Sequence, residues 1–193
     1  MSDLPRGTVT MLFTDIEGST SLVRELDDRY GALLGDYRRM LRKAVSDAGG
    51  HEIDCRADEL FAAFQRANDA VGAALSAQRM LAAHPWPDEV QVRTRMGLHT
   101  GEPVVEGDVY LGLDVHRALR ICAAGHGGQI LLSQVTHDLV AARFETRDLG
   151  AYLLAGMTRP DRIHQLVAPR LRDGFPPLRA DSMERKRLRG EPP

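Results

Sequence analysis

Residues 51–64, HEIDCRADELFAAF, constrain the fold more than any other stretch of the chain. Two runs of β-forming character flank a polar centre, which reads as a hairpin turning near Arg56–Asp58. Helical segments lie on both sides of this hairpin. A chain that inserts antiparallel strands between helices does not build a purely parallel, doubly wound sheet. The expected fold class is therefore α+β: a ferredoxin-like core with a mixed, largely antiparallel sheet and helices packed on it.

The remaining segments fit that plan. Residues 8–14 (TVTMLFT) are β-branched and apolar and predict a buried strand. Residues 19–48 predict helix, with an apolar stripe from Leu22 to Val45 and a break with a new cap at Asp27 or Asp28. Gly49 and Gly50 end it. Residues 66–84 form an Ala-rich helix closed by Pro85-Trp86-Pro87, with Trp86 plugging the end of the core. Residues 90–107 alternate around Gly101 and predict a strand, a turn and a second strand, with Arg93 and Arg95 lining an exposed face. Helix is expected over 113–125 and 134–142, and strand over 127–133, 144–149 and 163–167. From Pro169 the apolar pattern fades. Residues 1–168 thus read as one domain and 169–193 as a Pro/Arg-rich tail, disordered or loosely docked. Its basic stretch ERKRLRG (184–190) reads as solvated.

A formal net charge of −2 gives no overall pull toward nucleic acid or a membrane surface, so neither is an expected partner. No apolar run approaches bilayer-spanning length, and no basic leader precedes an apolar stretch. Cys55 and Cys122 lack disulfide or zinc-ligand spacing. These features fit a reducing, cytoplasmic setting.

The residues that carry chemistry are acids at element ends. Asp15 follows the first strand, and the amides of Ile16 to Ser19 lie where the next helix starts. A carboxylate for a hard cation beside a helix N-terminus for phosphate oxygens suits a metal-bound polyphosphate. Asp15 could equally cap that helix. Asp58 lies in the hairpin turn. If the hairpin pairs beside the first strand, Asp15 and Asp58 meet at one end of the sheet, where two carboxylates repel unless a cation separates them. Two such ions, Mg²⁺ or Mn²⁺, could activate a hydroxyl and neutralise a triphosphate. A solvated turn is the alternative for Asp58. His116 and Arg120, four apart, share a helix face. Arginine stabilises a transferring phosphoryl group, although two such residues also suit a solvated face. His99 reads as a strand residue near the sheet end, with a general-base role as the alternative. His126 lies in a Gly-rich loop without the lysine and spacing of a P-loop.

Together FTDIEGST, GGHEIDCRADELFAAF, MGLHTGE and YLGLDVHRALRICAAGHGGQILLS resemble the class III adenylate/guanylate cyclase catalytic domain, in its short actinobacterial form. The resemblance runs from about residue 7 to 168. It implies a head-to-tail homodimer with active sites at the interface. Asp15 and Asp58, with the backbone carbonyl of Ile16, would hold two divalent cations, Mg or Mn. Gly18, Ser19 and Thr20 would meet the nucleotide phosphates. The 3′-hydroxyl of ATP or GTP would attack the α-phosphate, pyrophosphate would leave, and Arg120 of the other subunit would stabilise the transition state.

The sequence departs from the family at the base. Adenylyl cyclases carry a lysine where this chain has Asp54, and an ionised carboxylate can only accept hydrogen bonds. Asp54 could accept from guanine, but the partner base-reading position falls on Val109. The usual ribose-orienting asparagine falls on His116, which can still donate. The lysine for the terminal phosphates falls on Ala155, and the glycine before the second metal aspartate is Ala57. Three readings stay open: a divergent cyclase of relaxed base choice, a degenerate domain that binds nucleotide or only dimerises, and another phosphoryl chemistry at the same metal site.

Overall fold

The computed structural model describes residues 4–182. The chain folds into strand β1 (Val9–Ile16), helices α1 (Ser19–Leu26) and α2 (Tyr30–Asp47), strands β2 (His51–Arg56) and β3 (Glu59–Phe64), and helix α3 (Ala67–Ala83). Strands β4 (Thr94–Gly101), β5 (Val104–Glu106) and β6 (Val109–Leu111) follow, then helix α4 (Leu113–Ala124). Strand β7 (Ile130–Ser133), helix α5 (Gln134–Val140) and strands β8 (Thr146–Leu153), β9 (Asp161–Leu166) and β10 (Asp181–Ser182) complete it. Eight strands form one sheet in the order β10-β8-β9-β7-β4-β1-β3-β2, and β5 and β6 pair separately. Among the described strands only β4 and β7 run parallel, so the sheet is mixed and largely antiparallel, as the hairpin between helices requires.

Alternation along the central strands builds two cores. Leu12 and Ile16 of β1 and Met96 and Leu98 of β4 face α2, α3 and Val140 of α5. Val9 and Met11 of β1 face the other way, with Phe61, Tyr110 and Ala118 of α4. Phe13 stacks on Phe61 there, with ring centroids 4.3 Å apart. Gly97 is required on this face, because a Cβ would run into the Cys122 backbone of α4.

The helical segment breaks where the sequence indicates. Asp27 adopts φ 47° and a short 3₁₀ turn, Asp27–Arg29, joins α1 to α2. Strands β8 and β9 are longer than the pattern suggests, because their outward residues are polar and break the apolar run. The segment after Pro169 packs on the sheet as far as Ser182. Leu178 is buried among Ile121, Leu131, Tyr152 and Ile163, and β10 pairs with β8. The Arg179 amide donates to the Ala124 carbonyl at 2.9 Å, and its side chain pairs with Glu17. The basic stretch 184–190 lies outside the described residues. Trp86 caps the core as expected, its indole N–H donating to the Leu81 carbonyl at 3.1 Å. Among the described residues no helix is long and apolar enough to cross a membrane.

Candidate active site

The site grows out of strand register. Asp15 lies near the C-terminal end of β1, opposite Arg95 of β4. On the other side Thr14 faces Leu60 of β3. Strand β3 begins at Glu59, so the preceding turn places Asp58 at the same end of the sheet as Asp15. The two carboxyl groups are close enough for each to act on the other's charge. Burial, then this contact with Asp58, pushes the Asp15 carboxyl up to about 6, against the opposing pull of Arg95.

The turn that delivers Asp58 is held from outside. Arg38 of α2 donates to the Ala57 carbonyl through Nε at 2.9 Å and through a terminal nitrogen at 2.6 Å. Ala57 itself adopts φ 47°, the left-handed conformation a glycine would take without strain. Asp58 is partly buried, and its Oδ2 is buried without a hydrogen-bond partner. That argues against a solvated turn residue. Asp15 likewise does not cap α1. Gly18 occupies the cap position at φ 74°, and no side chain bonds there. The first amides of α1, at Ser19 and Thr20, therefore stand at a helix start without a side-chain cap.

A divalent cation fits this arrangement. An orphaned carboxylate oxygen and a neighbouring carboxyl driven toward protonation are both relieved by a shared cation. Among the described residues no three His, Cys, Asp or Glu side chains gather as a closed metal cage. Two carboxylates suit Mg²⁺, which takes few protein ligands and completes its shell with water and phosphate oxygens.

The other sequence candidates lie apart from this pair. Asp54 is exposed on β2, beyond a register shift at Glu52/Asp54, and pairs with Arg56 at 2.9 Å. Val109 is 53% exposed on β6. His116 and Arg120 are exposed on α4, and among the described residues neither side chain has a hydrogen-bond or ion-pair partner. Neither bonds to Asp15 or Asp58. Ala155 is exposed beyond the end of β8.

Arg95 corrects the sequence reading. It was expected on an exposed strand face, but that face is covered by α4, and the guanidinium pairs with Asp15. Its Nε lies 2.6 Å from Asp15 Oδ2, and Nη1 reaches the Ala123 carbonyl of α4 at 3.3 Å. Two supporting clusters also escape the sequence. Asp114, at the start of α4, accepts from the Glu102 amide at 3.0 Å and from Arg117 at 3.1 Å, and contacts His99. Glu17, two residues past Asp15, accepts from the Gly127 amide at 3.1 Å and pairs with Arg179. All three depend on contacts between segments far apart in the chain, which no local pattern shows.

This fold belongs to a known family. The family model of the adenylate and guanylate cyclase catalytic domain matches residues 2–167, and the chain belongs to that family. An uncharacterized protein of Mycobacterium tuberculosis is 37% identical over 181 residues, covering 91% of this chain and 61% of that protein. The chain thus spans about three fifths of that protein's length. An adenylate cyclase of Lachancea kluyveri is 31% identical over 154 residues, which cover 67% of this chain and 8% of that enzyme. A structure of Trypanosoma brucei adenylate cyclase in its monomeric state superposes with a TM-score of 0.84 at 24% identity, covering 93% of this chain and 97% of that one. The adenylyl cyclase CyaB of P. aeruginosa gives 0.74 at 25% identity, over 88% and 98% of the two chains.

Proposed function

We propose that this chain is a nucleotide cyclase that converts ATP or GTP to a 3′,5′-cyclic nucleotide and pyrophosphate. The observation that carries the reading is the convergence of Asp15 and Asp58 at one sheet end, with an orphaned oxygen on Asp58. Asp15, Asp58 and the Ile16 carbonyl would hold two Mg²⁺ or Mn²⁺ ions. When bound, such ions acidify the 3′-hydroxyl and neutralise the triphosphate. The hydroxyl oxygen would bond to the α-phosphorus as the bond to the leaving pyrophosphate breaks, with the hydroxyl proton passing to solvent water. The amides of Gly18, Ser19 and Thr20 bind phosphate oxygens at the α1 start.

Arg120 and His116 point to a second copy. Both are exposed and unpartnered among the described residues, and neither reaches the acids of its own chain. In a head-to-tail homodimer Arg120 would meet the substrate held by the other protomer, with His116 as its neighbour on that helix face. The exposed apolar side chains Val104, Val109, Leu111 and Leu113 supply a surface for that dimer to bury. Charge stabilisation by one such arginine is worth roughly 2.7–4 kcal/mol. Supply of ATP and GTP places this activity in the cytoplasm.

A second reading has its own support. Asp54 is occupied by Arg56, Val109 offers no polar group, and Ala155 offers no cation. These features favour a domain that binds nucleotide loosely, or only dimerises. Incubation with Mn²⁺ or Mg²⁺ and ATP or GTP, with cyclic product quantified by mass spectrometry, separates the two. Product absent from Asp15→Ala supports the cyclase. No product from a folded dimer supports the regulatory module.

A further inference from the structure

The acid expected to hold a divalent ion already holds a cation. Arg95 faces Asp15 across the β1–β4 ladder. Two of its nitrogens converge on the same oxygen, Asp15 Oδ2, one of them at 2.6 Å. The pair is largely shielded from water, with side chains 21% and 17% exposed, so solvent screens the attraction weakly. Asp58 brings a second carboxyl to the same place. With both acids ionised the pair carries two negative charges, and Arg95 cancels one.

We infer that Arg95 is a resident counter-cation that competes with the divalent ion for Asp15 and so sets the metal affinity of the site. This rests on the reading of Asp15 and Asp58 as metal ligands. A metal ion that takes Asp15 Oδ2 must displace the guanidinium, or share the oxygen with a positive charge a few ångströms away. The displaced group keeps an acceptor, because its Nη1 already reaches the Ala123 carbonyl at 3.3 Å. That carbonyl lies in the last turn of α4, whose C-terminus favours a positive charge. Arg95 can therefore swing from the acid to the helix end without becoming a buried, unpaired cation. The same movement would carry the state of the metal site to the helix that bears His116 and Arg120.

The opposite role is also physically sensible and has the opposite sign. If Arg95 only orients Asp15, its removal weakens metal binding. Mn²⁺ titration of the full chain, followed by the electron paramagnetic resonance signal of free Mn²⁺, distinguishes them without turnover. Wild type and Asp15→Ala define the site. Arg95→Met removes the charge and should tighten Mn²⁺ binding by about tenfold or more. Arg95→Gln, which keeps a donor but not the charge, should do the same and serves if the Met variant fails to fold. Arg95→Lys should stay near wild type. Asp15-dependent binding seen only in the neutral variants would also support the inference. Unchanged or weaker binding in folded neutral variants overturns it, while leaving the metal reading intact. No Asp15-dependent binding in any variant overturns both.

Discussion

The imidazole of His99 and the carboxylate of Asp114 meet at 3.1 Å, and this contact locks the start of α4 to β4. The other ring nitrogen of His99 lies 2.8 Å from Ser133 Oγ, so the ring also ties β7 into the same cluster. Gly101 leaves the space that the Asp114 carboxylate fills, since a Cβ there would collide with it. The helix so fixed is the one that presents His116 and Arg120.

Asp114→Ala should therefore lower stability and turnover together. It leaves the buried imidazole of His99 without its carboxylate partner, at a cost of about 1–3 kcal/mol. Thermal unfolding and steady-state rates on the same samples check this. Asp114→Asn, which can still accept, should fall between the two.

Acid should weaken the fold in a defined window. Burial lowers the proton affinity of His99, and burial plus the charge of His137 does the same at His164. A histidine depressed in the folded state is neutral there while the unfolded chain still binds protons near 6.5. Stability is thus intact above that pH and falls below it. Asp114, held low by His99 and the Glu102 amide against its burial, adds a loss below about 3.8. Urea titrations at neutral pH and near 5.5 should show the first loss, and His164→Gln should flatten it.

Ala57→Gly should stabilise the chain by about 0.5–1 kcal/mol. A left-handed alanine costs roughly 1–2 kcal/mol, and the extra unfolded-state freedom of glycine returns part of that. Chemical denaturation reads the gain. Loss of stability instead would mean that the turn relaxes in solution.

Leu178→Ala should cost about 2–3 kcal/mol, because the side chain is buried against Ile121, Leu131, Tyr152 and Ile163. Arg179→Ala should cost less and act at Glu17, through a half-exposed pair. A drop in melting temperature for the first, with little change for the second, is the expected pattern.

Asp15→Ala and Arg120→Ala should each abolish cyclase activity, and an equal mixture should recover about a quarter of wild type. Random exchange makes half the dimers mixed, each with one complete site of two. No recovery from confirmed mixed dimers would refute the shared site.

Local patterns revealed most of this architecture. The polar centre of HEIDCRADELFAAF marks the turn that Ala57 makes, and the break in the helical stripe falls at Asp27, where φ turns positive. Asp15 and Asp58 could be paired in advance, because a hairpin beside β1 brings its turn to that end. Arg95 could not. Alternation showed that Arg93 and Arg95 share a face, and Arg93 is indeed exposed, but not that α4 covers position 95, nor that β4 sets it opposite position 15. The docked segment was hidden for a similar reason. Leu178 is an isolated apolar residue among prolines and arginines, and one residue has no period.

The strap that ends in β10 also defines a load path. Tension applied beyond Ser182 would first peel two residues from β8, one hydrogen-bonded pair at a time. It would next meet Arg179, which grips Glu17, and then Leu178 in its socket. Glu17 is two residues along the chain from Asp15, and its own amide is tied to the Arg93 carbonyl at 2.8 Å. Whatever is joined to that end of the molecule, as a tether or a fused domain, would hold a lever whose short arm lies beside the paired acids.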